Sequence, residues 1–272
     1  MMKTTINMSS AHIVHFAKRG SSKALKGFVL AATLLLPLQL AASGSGVALE
    51  SPIIDTGNHK SLQRGAKTFV NYCMGCHTAD YARYSRVAAD LKLDEEDVLN
   101  NLIFTTDDEG ERSKVGSLME SSMSEDYGKQ AFGVAPPNLA LTARSRGVDW
   151  IYSYLKGFYL DPSRPGLGVN NTVYPGAAMP HVLWEQQGLM KANYVTDEAG
   201  HKQLDGLSRV SDGTMSEDEY DDMVADLVNF MAYMADPIKQ TRHRIGMVVM
   251  LFLLLLLALV YSLKKEYWKD VV

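Results

Sequence analysis

The residues with the clearest chemical potential form one short motif, Cys73-Met-Gly-Cys76-His77. Two thiols at this spacing can form thioethers with the vinyl groups on one edge of a haem, and the histidine that follows reaches the iron from the same turn. A bare Cys-x-x-Cys could instead be a redox pair or half a zinc site, but the sequence holds no other cysteine to complete a zinc site. The motif therefore predicts one covalently bound haem c, held by Cys73 and Cys76, with His77 as an axial iron ligand.

The second axial ligand has to come from elsewhere in the chain. Met179 lies in a Gly/Pro-rich loop, Tyr174-Pro-Gly-Ala-Ala-Met-Pro180, and a rigid loop is a suitable way to hold a thioether at the iron. Many of the other methionines fall on apolar helix faces, where Met commonly fills a core. We therefore predict Met179 as the sixth ligand. The alternatives left open by the sequence are His181, Met119, Met123 and Met190.

The number of protein ligands decides which chemistry is available to the iron. A haem peroxidase requires an open or labile sixth position and acid–base residues beside it, and His181 next to Met179 is the one hint of these. Two protein ligands would close the iron, and the protein would then set the potential and exclude water. The sequence favours an electron carrier over a haem enzyme.

Two further segments could contact a haem. Residues 135–139, Ala-Pro-Pro-Asn-Leu, cannot form a helix and are expected to make a rigid wall. Arg144 and Arg146 follow, and a guanidinium is well shaped to pair with a haem propionate. Taken alone, each arginine is equally consistent with a solvated surface residue.

The elements that must position these residues are mostly helical. Apolar spacing predicts helices over 59–72, 94–104 and 148–158, and no alternating strand pattern is apparent. Residues 105–135 are polar and are expected to form a long surface excursion, and 161–182 a loop. The pattern predicts a mostly α haem domain with long loops.

The last helix of this domain has the strongest signals. Ser216 and Glu219 form a capping box, and Pro237 ends the pattern. Between them, the apolar residues recur at helical spacing and define one buried face. These residues are Tyr220, Met223, Val224, Leu227, Phe230, Met231 and Met234.

Two apolar segments indicate export and membrane anchoring. Residues 1–48 combine basic residues, a short apolar run and small residues, which predicts a signal peptide, the alternative being an uncleaved N-terminal anchor. Residues 49–240 would then form an exported haem domain, and 241–263 a single transmembrane anchor flanked by basic and aromatic residues. The tail, 264–272, is expected in the cytoplasm, and the haem domain in the periplasm of a bacterial inner membrane.

Charge narrows the possible partners. Without residues 1–48 the chain holds 22 basic and 31 acidic residues. This balance argues against nucleic-acid binding and suits a basic protein partner through long-range attraction. The candidate acids are Asp107, Asp108, Glu109 and Glu111, or Asp94 to Asp97, although such runs are commonly solvated faces.

At these residues the chain resembles the cytochrome c1 family, the haem c subunits of ubiquinol–cytochrome c reductase (the cytochrome bc1 complex). The resemblance covers nearly the whole mature region and is much more specific than the haem motif alone. It is carried by Arg64-Gly65, Tyr72-Cys-x-x-Cys-His77, Tyr81, Tyr84, Ala-Pro-Pro-Asn-Leu139, Arg144-x-Arg146-Gly-x-Asp149-Trp-x-Tyr152, Met179-Pro, Leu183-Trp184, Asp236-Pro237 and the C-terminal anchor.

The resemblance implies a cytochrome c-like haem domain and a role for each motif. Cys73 and Cys76 would bind haem, His77 and Met179 would ligate iron, Arg146 would sit by a propionate and Pro137 would pack near the haem. Electrons would arrive from the Rieske iron–sulfur protein and leave to a cytochrome c, and the anchor would pack beside cytochrome b. The chain would be a redox subunit, with no enzyme activity by itself, of a dimeric complex.

Two positions depart from the family pattern, since Asn138 stands where Asp is common and Trp150 where Tyr is common. The segment 105–135 need not align with any acidic insert of the family. A membrane-tethered c-type carrier serving another respiratory complex is the main alternative, although its anchor would usually lie at the N-terminus.

Overall fold

The structure is a computed structural model that describes residues 47–107, 109–164, 166–197 and 200–270. Almost all of the expected signal peptide, and Asp108 among the candidate acids, lie outside these residues. The elements run in the order α1 (His59–Tyr72), β1 (Ala79–Arg83), α2 (Tyr84–Leu91), α3 (Glu95–Asn101), β2 (Leu118–Met119), α4 (Glu125–Phe132), α5 (Thr142–Ser145), α6 (Val148–Lys156), β3 (Phe158–Leu160), β4 (Val169–Asn171), α7 (Trp184–Gln187), β5 (Gly188–Thr196), β6 (Lys202–Asp212), α8 (Glu217–Ala235) and α9 (Lys239–Tyr267).

The centre of the domain is the packing of α1 against α8. Phe69 and Phe230 are both fully buried, and their ring centroids lie 5.6 Å apart. The helices approach so closely that a Cβ at Gly65 would overlap the backbone carbonyl of Asp226. Arg64 crosses the same junction to form an ion pair with Asp226. The close crossing fixes the end of α1, where the haem motif begins, against α8.

The predicted helices are confirmed, as is the mostly α fold. Helices α1, α3 and α6 fall within the three stretches of helical periodicity. Helix α8 begins at the expected capping box of Ser216 and Glu219, and its backbone leaves the helix at Asp236, before Pro237. Its predicted apolar face is buried in the core, with Met223 partly exposed.

Residues 105–135 are tied to the domain more firmly than their polarity suggests. Strand β2 pairs antiparallel with β1, and Met119 within β2 is fully buried. Ser113 is buried as well, and Gly128 in α4 lies against Pro136. This segment therefore supports the proline-rich wall through packing.

The expectation that strands are absent is wrong at three places, the first being the pairing of β1 with β2. Strand β4 lies inside the stretch expected to be a loop and pairs antiparallel with β3, which directly precedes that stretch, and β5 and β6 form a longer antiparallel hairpin. The register of the hairpin shifts between Leu189 and Met190, and again between Ala192 and Tyr194. Much of its surface is exposed, so the hairpin is an appendage to the helical core.

Helix α9 stands apart from the core. It contains 29 residues, none of them buried, and within the described part of the chain it is the helix long and apolar enough to cross a membrane. The predicted anchor, 241–263, falls inside it. Three residues separate it from α8, and an ion pair of 2.6 Å between Asp236 and Arg242 spans this junction.

Candidate haem site

A cavity of about 380 Å³ opens where α1 ends, between α6, α8, the proline-rich wall and the 174–182 loop. Its lining is mostly apolar. All six residues singled out from the sequence are among its lining residues. They are Cys73, Cys76, His77, Pro137, Arg146 and Met179.

The haem motif turns directly out of α1. The backbone N–H groups of Cys76 and His77 both donate to the carbonyl of Cys73, at 3.1 and 2.9 Å. This tight turn presents both thiols and the imidazole to one cavity. Burial raises the pKa of the Cys73 thiol to about 12, and the neighbouring Cys76 adds to the effect.

The imidazole of His77 is held in one orientation by the proline-rich wall. Its Nδ1 lies 2.8 Å from the carbonyl oxygen of Pro137. Because a carbonyl can only accept, Nδ1 carries the proton and Nε2 keeps its lone pair. Burial lowers the pKa of His77, and the bond to Pro137 opposes that shift. A neutral ring with a free Nε2 is the form that binds a metal.

The loop that carries Met179 is held by a buried amide. Asn171 is fully buried, and its Oδ1 accepts from the N–H groups of Val173 and Tyr174 at 2.9 and 3.1 Å. Its Nδ2 donates to the carbonyl of Tyr154 in α6 at 2.7 Å. The start of the loop is thereby fixed to a helix that lines the cavity.

The far side of this loop is anchored by His181. Its ring stacks on Phe158 at 4.9 Å with an interplanar angle of 4°, and the residue is buried. Burial lowers the pKa of His181 to about 4, so this ring is neutral near neutral pH. His181 therefore fixes the end of this loop against Phe158 in β3.

The alternative sixth ligands lie elsewhere. None of His181, Met119, Met123 and Met190 is among the described residues that line the cavity. Met119 is buried in β2, and Met190 belongs to the β5–β6 hairpin. Of the candidates raised by the sequence, Met179 is the one that shares a cavity with His77.

Arg146 lies at the cavity with its guanidinium over an aromatic ring. The guanidinium carbon is 5.1 Å from the centroid of Trp150, which in turn stacks on Tyr154 at 5.0 Å. Arg144 is also exposed but is not among the lining residues. The structure thus separates two arginines that the sequence treats alike.

Several lining residues went unrecognised in the sequence. Trp150 and Tyr154 are one turn apart on α6, a spacing that places both on one helix face. Leu227 and Met231 on α8 were assigned only to the core, yet both also line the cavity. An apolar helix face that packs a core and walls a cofactor site leaves the same pattern for both tasks.

The residues present fit a haem c. An apolar cavity suits a porphyrin, and a guanidinium at its edge suits a propionate. Two thiols, an imidazole with a free Nε2 and a thioether supply covalent attachment and two iron ligands.

Comparison with known proteins gives a concordant result. A family model described as "Cytochrome C1 family" matches residues 50–271. The cytochrome c1 of Allochromatium vinosum is 47% identical over 250 residues, which cover 91% of this chain and 100% of that protein. A mitochondrial "Cytochrome b-c1 complex catalytic subunit" from Candida albicans is 24% identical, covering 80% and 75%.

A relative with a different name is also similar. The "Ammonia monooxygenase gamma subunit" of Nitrosomonas europaea is 42% identical over 244 residues, covering 90% of this chain and 97% of that protein.

Proposed function

Because the chain belongs to the cytochrome c1 family, we propose that it is the electron-transfer subunit of a quinol:cytochrome c oxidoreductase, the cytochrome bc1 complex. Members of this family carry a covalently bound haem c, and so does this chain. The observation that carries the proposal is the convergence of the haem motif, Met179 and Arg146 on one apolar cavity.

The residues divide the work at this site. Cys73 and Cys76 bind the haem covalently, and His77 and Met179 ligate its iron from the protein. Arg146 pairs with a propionate, and Pro137 orients the His77 ring through its carbonyl.

The haem supplies a centre that takes up and releases one electron. The protein controls the free energy of that exchange and the access of water. The closed ligand set leaves no position for substrate, and the apolar walls keep water from the iron. The thioether of Met179 raises the reduction potential relative to a second histidine. The chain is therefore a relay with no enzyme activity of its own.

The chain is membrane-anchored through α9, whose composition and length support this. We place the haem domain in the periplasm and the tail, 264–272, in the cytoplasm of a bacterial inner membrane. Residues 1–48 would be the signal peptide that exports residues 49–240. Electrons would come from the Rieske iron–sulfur subunit and pass to a cytochrome c, with cytochrome b beside the anchor in a dimeric complex.

A second candidate is favoured by the similarity to the Nitrosomonas protein, whose name assigns it to a monooxygenase. In that case this chain would be a membrane-tethered c-type carrier for another complex. The same haem site serves both functions, because relay chemistry depends on the cavity and not on the partner.

Purification of the intact protein from native membranes in mild detergent distinguishes the two. We expect a di-haem cytochrome b and a Rieske protein to copurify with the chain. Recovery with monooxygenase subunits or a copper oxidase, or recovery alone, would contradict the bc1 assignment.

The ligand set is tested by Met179→Leu. Loss of the Met179 thioether should abolish the charge-transfer band between the methionine sulfur and the haem iron. It should also lower the reduction potential, with the haem still attached. Met190→Leu, in the hairpin, is the matched control and should leave both unchanged. A wild-type spectrum in Met179→Leu would refute the assignment.

A further inference from the structure

The hydrogen bond between His77 and Pro137 requires an anchor. Pro136 and Pro137 have no N–H group, so neither can fix its position by donating a backbone hydrogen bond. The position of the Pro137 carbonyl therefore depends on the residues that follow it.

The residues that follow Pro137 form hydrogen bonds with the residues just after His77. The N–H of Leu139 donates to the carbonyl of Thr78 at 2.9 Å. The side-chain Nδ2 of Asn138 donates to Oδ2 of Asp80, also at 2.9 Å. The stretch that carries the Pro137 carbonyl is thus tied twice to the stretch that carries the imidazole.

Asn138 makes two bonds that require an amide. While its Nδ2 donates to Asp80, its Oδ1 accepts from the N–H of Ala140 at 2.9 Å. An aspartate at 138 could accept from Ala140 but could not donate to Asp80, and the two carboxylates would repel. Asn138 is one of the two departures from the family pattern, and its amide supplies the hydrogen bond to Asp80 that an aspartate could not supply.

The Asp80 carboxylate has few hydrogen-bond donors besides this amide. Its Oδ1 is buried and has no hydrogen-bond partner among the described residues. Its Oδ2 receives the Asn138 amide. A partly desolvated carboxylate with so few donors binds each of them firmly, because losing one leaves a buried charge less compensated.

We propose that the Asp80–Asn138 pair is a positioning element that sets the orientation and strength of the His77 hydrogen bond, and thereby tunes the reduction potential of the haem. A firm bond from Nδ1–H to the carbonyl makes the imidazole a stronger donor to iron and stabilises the oxidised form. Loosening the pair weakens that bond and raises the potential. The inference rests on the proposed ligation by His77.

The first test is Asn138→Leu in the intact membrane protein, which removes both bonds without changing charge. We expect a higher reduction potential and altered g-values of the low-spin ferric haem in electron paramagnetic resonance, with the haem retained. Asn101→Leu is the matched control, since Asn101 is exposed and, among the described residues, its amide bonds to the carbonyl of Asp97 in its own helix. Wild-type values in Asn138→Leu would overturn the proposal.

A charge-conserving exchange decides the matter even if Asn138→Leu fails to retain haem. Asn138→Asp alone should change the g-values, because two carboxylates then face each other. The double variant Asp80→Asn/Asn138→Asp restores one amide donor and one carboxylate, and it should regain the wild-type potential and g-values. A double variant no closer to wild type than Asn138→Asp would overturn the proposal.

The failure of this inference is distinguishable from failure of the proposed function. The wild-type protein shows by its own charge-transfer band whether the iron has a thioether ligand, whatever the variants do. Copurification of partners is likewise independent of the Asp80–Asn138 pair.

Discussion

At the scale of single residues, the site depends on side chains that act through their neighbours. His77 is oriented by a carbonyl, and the loop of Met179 by the buried amide of Asn171. Arg146 is placed by stacking over Trp150. Under the proposed ligation, groups that do not ligate iron would thus orient the groups that do.

Arg146 offers a prediction at this scale. Arg146→Gln removes a positive charge beside the cavity, and this loss of charge favours the oxidised haem. The reduction potential should therefore fall by about 60 mV, the equivalent of a tenfold change in a one-electron equilibrium. Redox titration of the purified protein measures the shift. Arg144→Gln removes the same charge from an exposed residue outside the lining and should change the potential far less. Equal shifts in the two variants would show that Arg146 has no specific role at the haem.

At the scale of elements, the contact between α1 and α8 controls both the core and the site. Helix α1 leads into the haem motif, and α8 supplies Leu227 and Met231 to the cavity wall. Their close approach depends on the missing side chain at Gly65. A change at this crossing is therefore expected to alter the positions of the residues that line the haem cavity.

Gly65→Ala tests this dependence. The added Cβ would meet the Asp226 carbonyl and push the helices apart, at a cost of about 1–3 kcal/mol in the free energy of unfolding. Chemical denaturation followed by circular dichroism measures the loss. Gly116→Ala is the control, since a Cβ there meets nothing within 4 Å. Unchanged stability in Gly65→Ala would contradict the close packing of these helices.

The elements also show where sequence patterns suffice. Helix α8 was predictable because its capping box, apolar face and terminating proline agree. The β5–β6 hairpin was not, because two register shifts interrupt the alternation and much of its surface is exposed. Periodicity reveals a strand only when one face is buried and the pleat is regular.

The candidate site was predictable to a similar degree. Cys73, Cys76 and His77 lie within five residues of sequence, so their spacing alone predicts a haem-binding motif. Trp150 and Tyr154 reach the cavity through the tertiary placement of α6, which leaves no local signal beyond one apolar helix face. Asp80 and Asn138 are 58 residues apart, and only the fold brings them together.

At the scale of the whole molecule, the haem domain and the membrane helix are structurally separable. No residue of α9 is buried, so the folded core gains little from its presence. The haem site lies wholly in the part of the chain before Pro237.

A chain ending at Ile238 should consequently fold and bind haem. We expect it in the soluble fraction with the wild-type absorption spectrum, while the full-length chain stays with the membranes. Ultracentrifugation and haem-stained gels measure the distribution. A truncated chain that loses haem would show that α9 contributes to the domain itself, whereas one that keeps haem but stays in the membrane pellet would show that another segment, such as an uncleaved 1–48, also anchors it.

The three-residue junction between α8 and α9 limits how far the haem domain can move. Three extended residues reach about 10 Å at most, and the ion pair of Asp236 with Arg242 restrains even that length. The domain is consequently held at a nearly constant height above the bilayer, without the long flexible tether that would let it travel between donor and acceptor. Under the proposed function, the electron donor and acceptor would therefore have to come to the haem domain, because the domain itself cannot travel between them.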